Sequence, residues 1–187
     1  MIVSIIKKIH NRCLLLIANL SYENKRKYLV KRGAKIGLDT RLNCNVSAFG
    51  TEPYLISVGE NCLFAANVNL ITHDGGIKVL NTLGYFEGKR MDNMASITIG
   101  NNVYIGMGAY IMPGVHIGDN VIVGAGAIVT KDIPCNSVCV GAPAHVIKTI
   151  DDYYQRLKNS GRLFPTPGMS PTEKREYLQS HISDKKF

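Results

Sequence analysis

Five histidines are the side chains of this chain whose ordinary titration lies near neutral pH, and their settings differ. His10 and His181 fall in terminal segments of helical character, where solvation is the simplest outcome. His116 stands between Val115 and Ile117, on the outward side of an alternating stretch, and His145 follows Ala142-Pro143-Ala144. His73 is set apart. It follows Ile71-Thr72 and opens the glycine-rich stretch Asp74-Gly75-Gly76, so it stands where a regular wall gives way to a loop. A histidine held at such an edge can take a proton from a hydroxyl, which is general-base chemistry. The neighbouring Asp74 either orients that imidazole or turns the loop. His73, His116 and His145 match no metal-ligand spacing, and no metal is expected. The five cysteines (Cys13, Cys44, Cys62, Cys135, Cys139) are odd in number and include no C-x-x-C pair. They read as free thiols of a reducing compartment.

The wall that would hold His73 is written as a six-residue rhythm. Ile99, Ile105, Ile111, Ile117, Val123 and Val129 form one row, and Ile97, Val103, Ala109, Val115, Val121 and Ala127 run two residues ahead. At 45% apolar composition, filling all twelve positions by chance has odds on the order of 10⁻⁴. Apolar-x-apolar makes one face of a short strand, and Gly, Asn, Asp and Pro in the intervening positions make a corner. Strands and corners at fixed period define an all-β solenoid of the hexapeptide type. It spans residues 33–148, starting at Ile36-Gly37 and Leu42 and resuming at Val58, Phe64 and Leu70. The step from Ile36 to Val58 is four residues too long, which predicts a bulge near Ser47–Pro53. The segment 73–96 has no rhythm and is expected to be thrown out of the wall as a loop, where function concentrates. After Val129 the register slips, with Val140-Gly141 expected to resume it. Residues 149–187 form a tail, with a helix over Thr149–Lys158 and a second begun by the capping box Ser170-Pro171-Thr172-Glu173.

Residues 1–32 form a basic helical segment. Ile2, Ile5, Ile6, Ile9, Cys13, Leu16, Ile17 and Leu20 share one helical face. That face either caps the open end of the solenoid or lies on a membrane surface. The net charge of +8 resides wholly before Ile36: nine basic residues and Glu23 precede it, and thirteen of each sign follow. A neutral solenoid argues against a nucleic-acid-binding body. No stretch is apolar and long enough to span a bilayer, and no signal-peptide pattern is present, so a cytoplasmic protein is expected, with residues 1–20 as its possible peripheral membrane contact.

Several stretches resemble the hexapeptide-repeat acyltransferases, and within them the galactoside, maltose and capsular-polysaccharide O-acetyltransferases. They are Ile71-Thr72-His73-Asp74-Gly75-Gly76, Ile99–Gly106, Pro113–Asn120, Gly124–Pro134 and Gly141–Lys148, within a similarity covering 33–150. The resemblance implies a left-handed parallel β-helix, a homotrimer with sites between neighbours, and acetyl-CoA as co-substrate. It implies His73 as the base for direct transfer to a sugar hydroxyl, with no acyl-enzyme. The Met107 amide would hold the oxyanion, although the family often has a small or hydroxyl residue there. Ala125 and Thr130 would line the pantetheine arm, Lys131 and Lys148 would stand near the CoA phosphates, and Asn43 and Asp74 would serve the acceptor. The family's usual Gly-Asn-Pro is here Gly141-Ala142-Pro143, which removes one amide contact.

The expectation is therefore an acetyl-CoA-dependent O-acetyltransferase acting on a saccharide precursor of a surface polysaccharide. Rival readings are N-acylation of an amino sugar or nucleotide-linked amino sugar, a metal-dependent hydratase similar to carbonic anhydrase, and a non-catalytic scaffold.

Overall fold

A computed structural model describes residues 13–182. The twelve positions of the six-residue rhythm all point inward, each no more than 2% exposed. The residues between them face out, so every strand is two to three residues long before a corner turns it. These are β1 (Lys35–Ile36), β2 (Arg41–Leu42), β3 (Ile56–Val58), β4 (Leu63–Phe64), β5 (Asn69–Leu70), β6 (Ile97–Ile99), β7 (Tyr104–Ile105), β8 (Tyr110–Ile111), β9 (His116–Ile117), β10 (Ile122–Val123) and β11 (Ile128–Val129).

Successive strands pass from one sheet to the next. The first sheet holds β1, β3, β6 and β9, the second β2, β4, β7 and β10, and the third β5, β8 and β11, all parallel. In regular turns the pairing advances by eighteen residues, as in Ile99 with Ile117 and Ile105 with Val123. Three hexapeptides thus make one turn of a coil with three parallel walls. At one corner, Asn61, Asn102, Asn120 and Asn136 take φ of 54°, 54°, 56° and 58°. Asparagine tolerates this left-handed conformation better than other side chains that carry a Cβ. Their amides then stack, each Nδ2 donating to the next Oδ1 at 3.2, 2.9 and 2.9 Å.

The departures from rhythm fall close to where they are expected. The bulge consists of two 3-10 turns, Val46–Phe49 and Pro53–Leu55. Phe49 from this bulge is fully buried, with its ring 6.2 Å from that of Phe64, so the extra residues help to fill the core. The final turn differs from expectation. Ile133 bridges Ile117, and Cys139 pairs with Val123, so this turn is sixteen residues rather than eighteen. Cys139, fully buried, takes the inward place expected for Val140. Strand β12 (Ser137–Gly141) then runs antiparallel to β13 (Ala144–Thr149), a hairpin that the repeat pattern does not announce.

At the other end, residues 13–18 are helical and α1 spans Tyr22–Lys31. Ser21 caps α1 by accepting from the Asn24 N–H, which breaks the helix expected over residues 2–20 from the one after it. The part of that expectation over residues 1–12 lies outside the described residues. Helix α1 covers the first turn of the coil: Lys25 Nζ donates to the Leu42 carbonyl at 2.8 Å, and Arg26 Nε to the Ile36 carbonyl at 3.2 Å. Lys25 is buried, so Lys25→Met leaves the Leu42 carbonyl without this donor. The expected loss is about 1–3 kcal/mol in the urea unfolding free energy.

The chain divides into two units after Ile150. The second contains most of α3 (Ile150–Lys158), which begins at the boundary, and all of α4 (Pro171–Ile182). The capping box forms as expected: Ser170 N–H donates to Glu173 Oε2 at 2.8 Å, and Glu173 N–H to Ser170 Oγ at 3.3 Å. No helix among the described residues is long and apolar enough to cross a membrane.

Candidate active site

The segment 73–96 leaves the wall after β5, and its two stems pair as they depart. His73 and Met94 form an antiparallel bridge, Asp74 N–H donates to the Asn93 carbonyl at 2.9 Å, and Ala95 N–H to the Thr72 carbonyl at 2.9 Å. Within it lies a short helix, α2 (Ile77–Thr82), which the absence of rhythm did not reveal. Asn81 ties α2 to the returning stem, donating to the Met91 carbonyl at 2.7 Å and accepting the Met91 N–H at 2.8 Å. The excluded loop is therefore anchored at its base and braced across its middle.

His73 stands at that base with half of its side chain exposed, and a carboxylate meets it from the bulge. Its Nδ1 lies 3.1 Å from Glu52 Oε2, and the same oxygen accepts from the Thr72 hydroxyl at 3.0 Å. Glu52 also accepts from the Thr51 hydroxyl. An ionised carboxylate only accepts, so Nδ1 carries the hydrogen and the Nε2 lone pair is left free. Glu52 is well covered, 13% exposed at its side chain, and Thr72 is buried.

The Thr51 hydroxyl, followed by those of Thr72 and the His73 ring, holds the Glu52 carboxyl below the ordinary carboxylate range. A carboxylate whose folded titration is depressed stabilises the fold fully above its unfolded value, and this contribution disappears as pH falls through the folded value. The stability difference between the native protein and Glu52→Gln should therefore shrink as pH falls below the usual carboxylate range, as measured by urea unfolding at a series of acid pH values.

Glu52 is the partner of His73 that sequence reading missed, although the bulge containing it was located. Of the two readings for Asp74, the contact present is the loop-turning one, its Oδ1 accepting the Gly76 N–H at 2.8 Å, while the carboxylate at His73 Nδ1 is that of Glu52. Two clefts meet at His73. One, about 540 Å³, is polar, with Glu52, Asp74, Lys78, Asn81, Arg90 and Asp92 among its lining. The other, about 700 Å³, runs beneath the helical residues before Ser21 and along α1. A wall-mounted base with its lone pair free, beside a polar cleft of sugar size, suits abstraction of a hydroxyl proton.

The remaining sequence-derived candidates are distributed over the coil's corners. Asn43, Met107 and Ala125 share one corner, as the ladder Asn43 to Phe64, Ala65 to Ile105 and Gly106 to Val123 places them on successive turns. Met107 is exposed and its carbonyl accepts the Gly126 N–H, while no acceptor among the described residues takes its own N–H. Asn43 Oδ1 accepts from the Tyr22 hydroxyl at 2.6 Å. His73, Thr130 and Lys131 occupy the next corner along the chain, beyond the third sheet. Lys148 is on β13 beside Val138, and His145 and His116 are exposed on separate strands. The structure thus brings His73 together with Thr72 and Glu52. It does not bring His73 together with Met107 or Ala125 within one chain. Among the described residues, no three metal-ligating side chains converge.

A coil of parallel hexapeptide strands with a loop-borne histidine defines a class, the hexapeptide transferases. Residues 96–131 match the family described as bacterial transferase hexapeptide (six repeats). Protein CapG of Staphylococcus aureus is 40% identical over 174 residues, 92% of this chain and 95% of that protein. The galactoside O-acetyltransferase of Escherichia coli is 41% identical over 122 residues, 64% of this chain and 57% of that protein. Among solved structures, a galactoside acetyltransferase in complex with coenzyme A superposes with a TM-score of 0.55 at 28% identity, covering 80% of this chain and 83% of that one. The chain belongs to the hexapeptide-repeat transferase family, and it is an acetyltransferase.

Proposed function

We propose that this protein transfers an acetyl group from acetyl-CoA to a hydroxyl of a saccharide, a precursor of a surface polysaccharide, with His73 as general base. The reading rests on one observation above the others: the Glu52 carboxylate at His73 Nδ1, which leaves Nε2 free to accept a proton. The hydroxyl oxygen attacks the thioester carbonyl carbon as its proton passes to Nε2. The C–S bond then breaks, and the proton goes to the departing thiolate, giving the ester and free CoA. A hydroxyl is a weak nucleophile until a base takes its proton, and the oxyanion formed on attack needs a fixed donor. The unengaged Met107 N–H is that donor in this reading, with Ala125 and Thr130 along the pantetheine arm and Lys131 and Lys148 at the CoA phosphates. Asn43 and Asp74 serve the acceptor.

His73 and Met107 stand at different corners, so this site requires a second copy, whose Met107 corner faces His73 of the first. A homotrimer of left-handed coils satisfies that requirement. The outer face of the second sheet supports association: Leu63 and Tyr104 are both more than a third exposed there, on strands that flank one another. In this reading residues 33–148 are the catalytic domain, 1–32 and 149–187 are its appendages, and the enzyme works on the cytoplasmic side of a membrane.

The test is CoA release from acetyl-CoA with paired acceptors, a saccharide and its amino-sugar counterpart. Faster release with the hydroxyl acceptor is expected. Faster release with the amine would replace this reading by N-acylation.

A further inference from the structure

The larger cleft is chemically unlike the one that suits a sugar. Its walls are Leu14 and Leu15 from the helical residues before Ser21, Tyr28 and Leu29 from α1, and Val46 from the bulge. Leu14 and Leu15 are more than a third exposed, although a solid coil is available to pack against. The cleft ends at Thr51 and His73, so it is continuous with the proposed reaction centre. Lys31 and Arg32 also line it, both exposed and without an ion pair among the described residues. The chain from Ile36 onward carries thirteen acids and thirteen bases, so these cations belong to a local excess and not to a general one.

An apolar trough that starts at a general base and carries two cations without a carboxylate partner among the described residues, Arg32 lying 5.7 Å over the Tyr28 ring, matches one kind of molecule. We infer that the acyl acceptor is an amphiphile, a saccharide joined through a phosphate to an apolar chain, with the chain in this cleft and the phosphate at Lys31 and Arg32. This rests on the acyl-transfer reading of His73 and names the substrate class of that site. The sugar occupies the polar cleft, where Lys78 and Arg90 offer hydrogen-bond donors. Guanidinium and ammonium groups suit a phosphate at the junction, and apolar walls suit a hydrocarbon chain. Recognition through both ends gives selectivity that neither alone supplies, since a free sugar leaves the trough filled with water.

Binding of dodecyl phosphate, kept below its micelle concentration, tests this by isothermal titration calorimetry on the full chain. The expected result is saturable binding that weakens about tenfold or more on shortening to hexyl phosphate, since each methylene adds favourable burial. Dodecanol and inorganic phosphate are expected to bind at least about tenfold more weakly than dodecyl phosphate. Lys31→Glu with Arg32→Glu, two exposed changes that leave the core intact, should weaken binding by about tenfold or more through charge reversal. Leu15→Asp should do the same, with thermal melting confirming that it folds.

Absent binding, or binding indifferent to chain length and to these substitutions, overturns the proposal. So does binding that appears only when residues 1–12 are deleted, which would give the trough to the chain's own N-terminus. Equal affinity for anionic phospholipid vesicles without competition by dodecyl phosphate would also overturn it, in favour of a bilayer surface. Binding is read without turnover. Failure of the His73 reading shows separately, as CoA release absent for every acceptor.

Discussion

His73→Ala is expected to lower acceptor-dependent CoA release by about 10²–10⁴-fold, the usual worth of a positioned general base. Binding of CoA should remain, because no CoA-contacting role falls to the imidazole. Retention of full turnover would sink the proposed mechanism. Glu52→Gln is the more discriminating partner experiment. The glutamine side chain keeps the shape and still reaches Nδ1, but its amide can donate a hydrogen there. The preferred tautomer then carries its hydrogen on Nε2, the atom that must accept. A loss of comparable size is expected, up to about 10⁴-fold, as the wrong tautomer disables a base whose geometry is intact. The readout that separates positioning from structural support is the ¹⁵N spectrum of the His73 ring. It should show hydrogen on Nδ1 in the native protein and on Nε2 in Glu52→Gln. An unchanged ring spectrum with unchanged turnover would remove Glu52 from the mechanism.

The second large effect concerns the wall itself. A methyl group at Gly106 would lie 2.5 Å from the Ala125 nitrogen and 2.6 Å from the Gly124 carbonyl carbon. Both are backbone atoms of the next turn, which is held in register by Gly106 N–H donating to the Val123 carbonyl and Gly124 N–H to the Cys139 carbonyl. Gly106→Ala should therefore cost about 3 kcal/mol or more, the upper range for overpacking, and Gly106→Val more again. Gly126→Ala is the control. It stands at φ +68° with nothing within 4 Å of its added methyl, so only the left-handed conformation opposes it, at about 1–2 kcal/mol. Guanidinium unfolding of both variants checks the ordering, and a Gly126 variant more damaged than Gly106→Ala would contradict the stacking argument.

The repeat itself was legible because its cause is local. An inward position every second residue, followed by a corner, depends on side-chain alternation over six residues, and the twelve rhythmic positions are buried as their spacing predicts. The places where rhythm fails were legible as positions but not as shapes. Ser47–Pro53 reads as surplus length, yet whether surplus residues bulge outward or supply a core phenylalanine depends on the neighbouring turn, here through Phe49 against Phe64. The last turn shows the same limit. Both Cys139 and Val140 are apolar enough to face inward, and Cys139 takes the place because its strand pairs with Val123 two residues early.

The sequence by itself determined the hexapeptide coil, its apolar interior and the position of the excluded loop, since each follows from contacts between residues close along the chain or repeated along it. It also singled out His73 as the histidine at a break in the wall. Only the tertiary structure decided which carboxylate serves that histidine. Asp74 is adjacent in the chain but satisfies the Gly76 amide, while Glu52, twenty-one residues earlier, meets Nδ1 because one turn of the coil returns the bulge to the base of the loop. Tertiary structure likewise placed Met107 and His73 on different corners, which the linear spacing of their motifs does not disclose. A period specifies which side chains share a face. Which departures from the period meet depends on the path of the backbone between them, and that path is set by packing over the whole turn.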